Sequence, residues 1–276
     1  MTAYAQTNIQ LLKQLQDNGY FHADLRCICD GYRLAMELFT GAFRPSGKTF
    51  IDHLVGTASI LCSIQARIEL VAAGLLHAAY ARGDFGGFPP ALPAKRQQVR
   101  SAVGAKAEEY VFRYTNLEWH DDHIRGLHDR IDTLDGIDRE VVLMRLANEL
   151  EDCVDLGVVY CCNSESRKSS LRSCGGLMVE MANRLGHPAL AVEMEHAFRA
   201  TVLAESPVEL RNLTQHERAF VIAPRSYTRR TSTVIRHFLV NGLTRSSVGT
   251  SLLRRVKALA DGVSRKATAS PERRNE

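Results

Sequence analysis

Between Phe50 and Ala79 the chain carries two strongly apolar stretches, F-I-D-H-L-V-G-T-A-S-I-L-C and I-E-L-V-A-A-G-L-L-H-A-A, and each contains one histidine, His53 and His77. Val55, Ala58, Ile60 and Leu61 recur near the 3.6-residue period of a helix, and Ile68 to Ala79 is apolar almost all round. A helix without a polar face has to lie inside the molecule. The spacing therefore predicts two adjacent core helices, each holding a histidine, with other helices covering them.

The rest of the chain supplies that cover. Ala5 to Gln16 and His22 to Phe39 read as amphipathic helices, with Leu11, Leu12, Leu15, Leu25, Ile28, Leu34, Met36 and Leu38 as candidate buried positions. The run G-G-F-P-P-A-L-P is a breaker; Pro93 to Val103 then forms a helix that Gly104 stops, and another covers Lys106 to Tyr114. Asp138 is the expected cap of a long helix to Val159. Its polar side offers Asn148, Glu151, Asp152 and Asp155, spaced so that they share one face. Lys168 to Leu185 and Pro188 to Val202 complete the set. Period-two alternation of useful length is absent from the sequence, so the expected fold is all-α.

Three residue patterns together resemble a known family. The loop R-P-S-G-K-T-F-I-D-H from Arg44 to His53, the apolar L-L-H ending at His77, and the later M-R-L-A-N-E-L-E-D resemble the HD-domain metal phosphohydrolases, specifically the alarmone (ppGpp) hydrolase domain of RelA/SpoT proteins. Residues 181–198, M-A-N-R-L-G-H-P-A-L-A-V-E-M-E-H-A-F, resemble the helix pair that follows that domain. The resemblance implies an HD-like helical bundle that holds one manganese ion through His53, His77 with its neighbour, and the position of Asn148. It also implies that Arg44 stacks on a guanine base, while Ser46 and Lys48 line the mouth. Where that family has an aspartate after the second histidine this chain has Ala78, and where it has the distant aspartate this chain has Asn148. Losing both carboxylates removes charge and ligand count together.

The candidate site is thus His53, His77 and Asn148 as the set around a divalent manganese, iron or zinc ion. Arg44, Ser46 and Lys48 form the nucleotide-binding loop, and Asp84 and Asp152 are the candidate catalytic carboxylates. Substitute ligands are sought in Asp52, Asp84, Glu149 and Asp152, or in His120, Asp121, Asp122 and His123, although W-H-D-D-H on a polar helix reads first as a solvated face. Two function classes follow: a variant hydrolase of a nucleotide or other phosphate ester, and an inactive binding or regulatory protein on the same scaffold. Gly47-Lys48-Thr49 is not a P-loop, because the required glycine would be residue 42, which is alanine.

Domain organisation reads as a helical cover over residues 1–40, an HD-like domain with its helix pair over 41–206, and a basic segment over 207–276. The whole chain carries a net charge of +4, but the basic segment alone carries +9. Within it Leu252, Val256, Leu259 and Val263 fall on one helical face, with a polar tail beyond Arg265 expected to be disordered. Packing on its own domain is the expected use of that stripe; an acidic partner or a membrane surface is the other. Seven cysteines, an odd number, with no secretory leader predict reduced thiols and a cytoplasmic protein without transmembrane segments.

Overall fold

The computed structural model describes residues 4–86, 91–161 and 163–205, and these form an all-α helical bundle. The basic segment, its Thr250–Val263 stripe and its tail lie outside the described residues. In chain order the helices are α1 (Asn8–Asp17), α2 (His22–Phe39), α3 (Phe50–Ser63), α4 (Ile68–Gly74), α5 (Ala79–Arg82), α6 (Leu92–Asn116), α7 (Asp121–Arg130), α8 (Gly136–Val154), α9 (Ser164–Arg184) and α10 (Pro188–Leu203). Short 3₁₀ turns at Ile131–Thr133 and Gly157–Tyr160 flank α8.

Helix α3 is the axis of the bundle. Every residue from His53 to Cys62 is buried, because α1, α4 and α8 pack around it. Thr49 starts it, its hydroxyl accepting the Asp52 N–H at 3.1 Å. Helix α1 begins with a reciprocal cap, Thr7 accepting the Gln10 N–H while the Gln10 side chain accepts the Thr7 N–H. It is tied to α3 where the Ala5 N–H donates to the Ser59 hydroxyl at 2.8 Å. The amino-terminal helices share one continuous apolar core with the rest of the bundle.

Three boundaries differ from the sequence expectation. The apolar stretch after Ile68 is not one helix: α4 ends at Gly74, and His77 stands on the turn before α5. The His77 ring causes no loss of pairing there, since its Nδ1–H donates to the freed Gly74 carbonyl at 2.8 Å. The cap of α8 is Asp135, which accepts the Asp138 N–H at 2.7 Å, three residues before the expected one. That helix stops at Val154 because Leu156 takes a left-handed conformation, φ 61°. At Gly104 the sequence reading holds: φ is 87°, which glycine adopts without a Cβ clash, and α6 kinks there.

No helix among the described residues is long and apolar enough to cross a membrane. The described cysteines are all free thiols.

Candidate functional site

The loop between α2 and α3 is a tight hairpin. The Arg44 N–H donates to the Lys48 carbonyl at 2.7 Å, and the Phe50 N–H donates to the Ala42 carbonyl at 3.0 Å. This closure aims Arg44 and Lys48 together at the polar face of α8. Arg44 pairs with Asp152; Lys48 pairs with Glu151 and, at 2.8 Å, with Asp155. Ser46 sits on the same hairpin, its hydroxyl accepting the Lys48 N–H at 3.4 Å.

Beneath the hairpin the two histidines meet. His53 and His77 are buried, with ring centroids 5.1 Å apart and their Nε2 atoms at 3.2 Å. Asn148 is buried beside them, its amide 3.3 Å from His53 Nε2 and 2.5 Å from the Tyr114 hydroxyl. Arg145 donates to the same hydroxyl at 3.0 Å and pairs with Glu149. Arg167, from α9, joins Glu149 at 3.3 Å and Asp152 at 3.1 Å. The other ring nitrogen of His53, Nδ1, is hydrogen-bonded to Glu151.

Sequence candidates His53, His77, Asn148, Arg44, Lys48 and Asp152 are thus brought into one network. Asp84 is not: it is exposed on the loop after α5, its carboxylate accepting the Gly86 N–H at 3.1 Å. Asp52, half-buried in the first turn of α3, is in none of these pairs. His120, Asp121, Asp122 and His123 lie at the start of α7, with both histidines exposed on the surface. The residue that sequence reasoning placed on the correct face without assigning it a role is Glu151, which is buried and touches both His53 and Lys48. Tyr114 and Arg167 carry no local signal, since their partners lie on α8; Arg145 does carry one, its i, i+4 spacing to Glu149 on the same helix.

Burial sets the protonation of this network. It pushes the Glu151 carboxyl up to about 8, with Lys48 only partly offsetting it and Asp152 adding to the rise. Burial would also raise Asp152, but Arg44, His53 and Arg167 outweigh it and hold that carboxyl well below the usual range. His53 is lowered by burial and by Arg44; His77 by burial and by His53. Both rings are therefore neutral.

Two hydrogen-bond arrangements satisfy neutral rings. With Glu151 protonated, its carboxyl donates to His53 Nδ1, His53 Nε2–H donates to His77 Nε2, and His77 Nδ1–H donates to Gly74, with Asn148 turned to offer its oxygen. With Glu151 ionised, His53 Nδ1–H donates to it, and two unprotonated Nε2 atoms then face each other. In that state the Asn148 amide N–H, 3.3 Å away, donates to His53 Nε2, while its oxygen accepts from the Tyr114 hydroxyl. Which nitrogen carries hydrogen follows from these partners.

His53, Glu151 and Asp152 present ligand atoms within 4.8 Å of one another, a buried group that could hold a metal ion. Its carboxylates are already paired: Arg44, Lys48, Arg145 and Arg167 meet Glu149, Glu151, Asp152 and Asp155 in equal number. On the Nε2 side no carboxylate stands, since Ala78 lacks a donor and Asn148 is neutral. That donor set does not fit a catalytic manganese centre, which relies on anionic oxygen ligands.

Gly56 is what lets Glu151 approach. A Cβ there would fall 2.7 Å from Glu151 Oε1 and 2.8 Å from its Cγ. Alanine is the better helix former by about 1 kcal/mol, yet Gly56→Ala should lose net stability, by about 1–3 kcal/mol, because the carboxylate is clamped by Lys48 and His53. Urea unfolding of the variant measures this; a gain in stability would show that Glu151 is free to move.

Residues 35–118 match the family described as a domain of unknown function, DUF6817. No curated protein matches the chain. The matched region includes the hairpin, both histidines and Tyr114, and ends before α8.

Proposed function

We propose that this chain is a catalytically inactive binding or regulatory protein on an HD-like bundle, similar to the alarmone hydrolases, in which fixed cations stand in for a metal. The observation that carries this reading is the pairing of every carboxylate near His53 with a guanidinium or ammonium group. A buried carboxylate is stable only when its charge is compensated; here Arg44 and Arg167 do that for Asp152, while Glu151 keeps a proton beside Lys48. Arg44 and Lys48 are the ligand-facing members. They remain partly exposed on the hairpin, so a phosphate-bearing nucleotide would bind by exchanging places with Asp152 and Asp155.

A second reading, a variant hydrolase of a phosphate ester, is favoured by one observation. The 3.2 Å between His53 Nε2 and His77 Nε2 is close to the roughly 3.3 Å that separates two imidazole ligands sharing one ion. In that reading His53 and His77 would hold an iron or zinc ion that would supply an activated water, and Asp152, on the Nδ1 side of His53, would act only through that ring.

Metal analysis of protein purified without chelator, beside His53→Ala and His77→Ala, separates the two. The inactive reading expects no metal that depends on either histidine and no ppGpp hydrolysis with manganese. It also expects calorimetric ppGpp binding in the presence of chelator, weakened at least tenfold in Arg44→Ala with Lys48→Ala. Stoichiometric metal lost in both histidine variants, with turnover abolished by His77→Ala, would replace it by the hydrolase reading.

A further inference from the structure

We propose that Glu118, His120 and His123 form a surface site for a borderline transition-metal dication such as zinc, nickel or copper(II), separate from the buried histidines. The segment leaves α6 at Leu117 in extended conformation and reaches the first turn of α7 within a few residues, so Glu118, His120 and His123 double back on one another. His123 Nε2 is 2.5 Å from Glu118 Oε2, and His120 Nε2 is 3.7 Å from the same oxygen. The two imidazoles stand with centroids 3.9 Å apart, and one ligand atom from each of the three residues falls within 4.8 Å of the others. Ligands bound to one zinc ion at about 2.0–2.2 Å lie at most about 4.4 Å apart, so small rotations of exposed side chains close the set.

The charge environment differs from that of the buried cluster. There every carboxylate has a lysine or arginine partner; among the described residues, the ion-pair partners of Glu118 are the two histidines alone. Asp121 adds negative field from the first turn but is engaged by the Ser170 hydroxyl at 2.5 Å, so it is not counted as a ligand. Two imidazole nitrogens and one carboxylate oxygen select zinc, nickel or copper over magnesium and calcium, which prefer all-oxygen shells. Three protein ligands leave a position open to water, and the exposure of all three residues makes the ion exchangeable.

Trp119, the chain's one tryptophan, lies between two of the ligands, with the Arg145 guanidinium 5.1 Å from its ring centre. It is a built-in reporter. Titrating the chelator-treated full chain with copper(II) should quench its fluorescence with one-to-one stoichiometry, and zinc should raise the melting temperature by preferential binding to the folded state. His120→Ala and His123→Ala should each weaken both effects at least tenfold, and Glu118→Ala should weaken them less. His77→Gln should leave the quenching unchanged, and a thousandfold excess of magnesium should not compete. Quenching that persists with unchanged affinity in His120→Ala and His123→Ala, or that is lost in His77→Gln instead, would overturn the assignment.

Discussion

Replacing Glu151 by alanine is expected to lower the unfolding free energy by about 2–4 kcal/mol, the cost of leaving buried hydrogen-bonding partners unsatisfied and of the cavity left over Gly56. The residue is held by the Lys48 ammonium on one oxygen and His53 Nδ1 on the other, and its side chain fills the space over Gly56. Alanine removes both hydrogen-bond partners at once and opens a void between α3 and α8, the helices that Glu151 joins. Lys48 keeps Asp155, which lies nearer the surface, so the ammonium is not wholly stranded. His53 Nδ1 is left with Asp152, 3.7 Å away and already held by Arg44 and Arg167. Equilibrium urea unfolding of Glu151→Ala gives the number, and a loss under 1 kcal/mol would mean that the cluster is not a structural centre of the bundle.

This centre was partly legible in the sequence. His53 announced itself as a polar interruption in an otherwise buried helix, and the spacing of Asn148, Glu151, Asp152 and Asp155 put four polar groups on one face. What the spacing could not say is which of the four goes deepest. That is decided by α3 crossing α8 at a glycine: Gly56 admits the Glu151 side chain, and the pairing spans 98 residues of sequence from His53 and 103 from Lys48. The position of His77 was misread for a different reason. An apolar run of twelve residues carries no mark of where a helix ends once every face is buried, so the stop at Gly74 was invisible to periodicity. Arg44 shows a partner that the sequence does not reveal. Read alone it is a loop cation free to stack on a base, yet folding delivers it to Asp152, 108 residues away, and sets a carboxylate that any ligand has to displace. The all-α fold needed none of this, because the amphipathic periods, the caps and the break at Gly104 each act locally.

The protonation of the cluster predicts an unusual pH profile, with maximal stability near pH 6.5. Glu151 titrates near 8 in the folded chain and at about 4.3 in the unfolded one, so the fold holds a proton that the unfolded chain has released. Stability from this group is complete below about pH 4.3 and is lost as pH rises towards 8. Between pH 6.5 and 8 it is the dominant titration in the cluster, and the expected loss is about 2 kcal/mol. Below pH 6.5 the histidines take over. His53 and His77 are both held below their ordinary range, and half-buried His187 is lowered in the same sense, so the unfolded chain takes up protons that the fold refuses. Stability from these rings is present above about 6.5 and falls with pH below it. Two cluster histidines against one glutamic acid leave a net slope of about 1.4 kcal/mol per pH unit on the acid side. Glu151→Gln isolates the alkaline limb. Its amide N–H donates to His53 Nδ1 as the protonated acid does, and its oxygen still accepts from Lys48, but nothing titrates. The variant should match the wild type within about 1 kcal/mol at pH 6.5, keep the acid limb, and lose the decline between pH 6.5 and 8. Urea midpoints of both proteins at pH 5.5, 6.5, 7.25 and 8 test it, and a wild-type curve that rises from pH 6.5 to 8 would show that Lys48 holds Glu151 ionised.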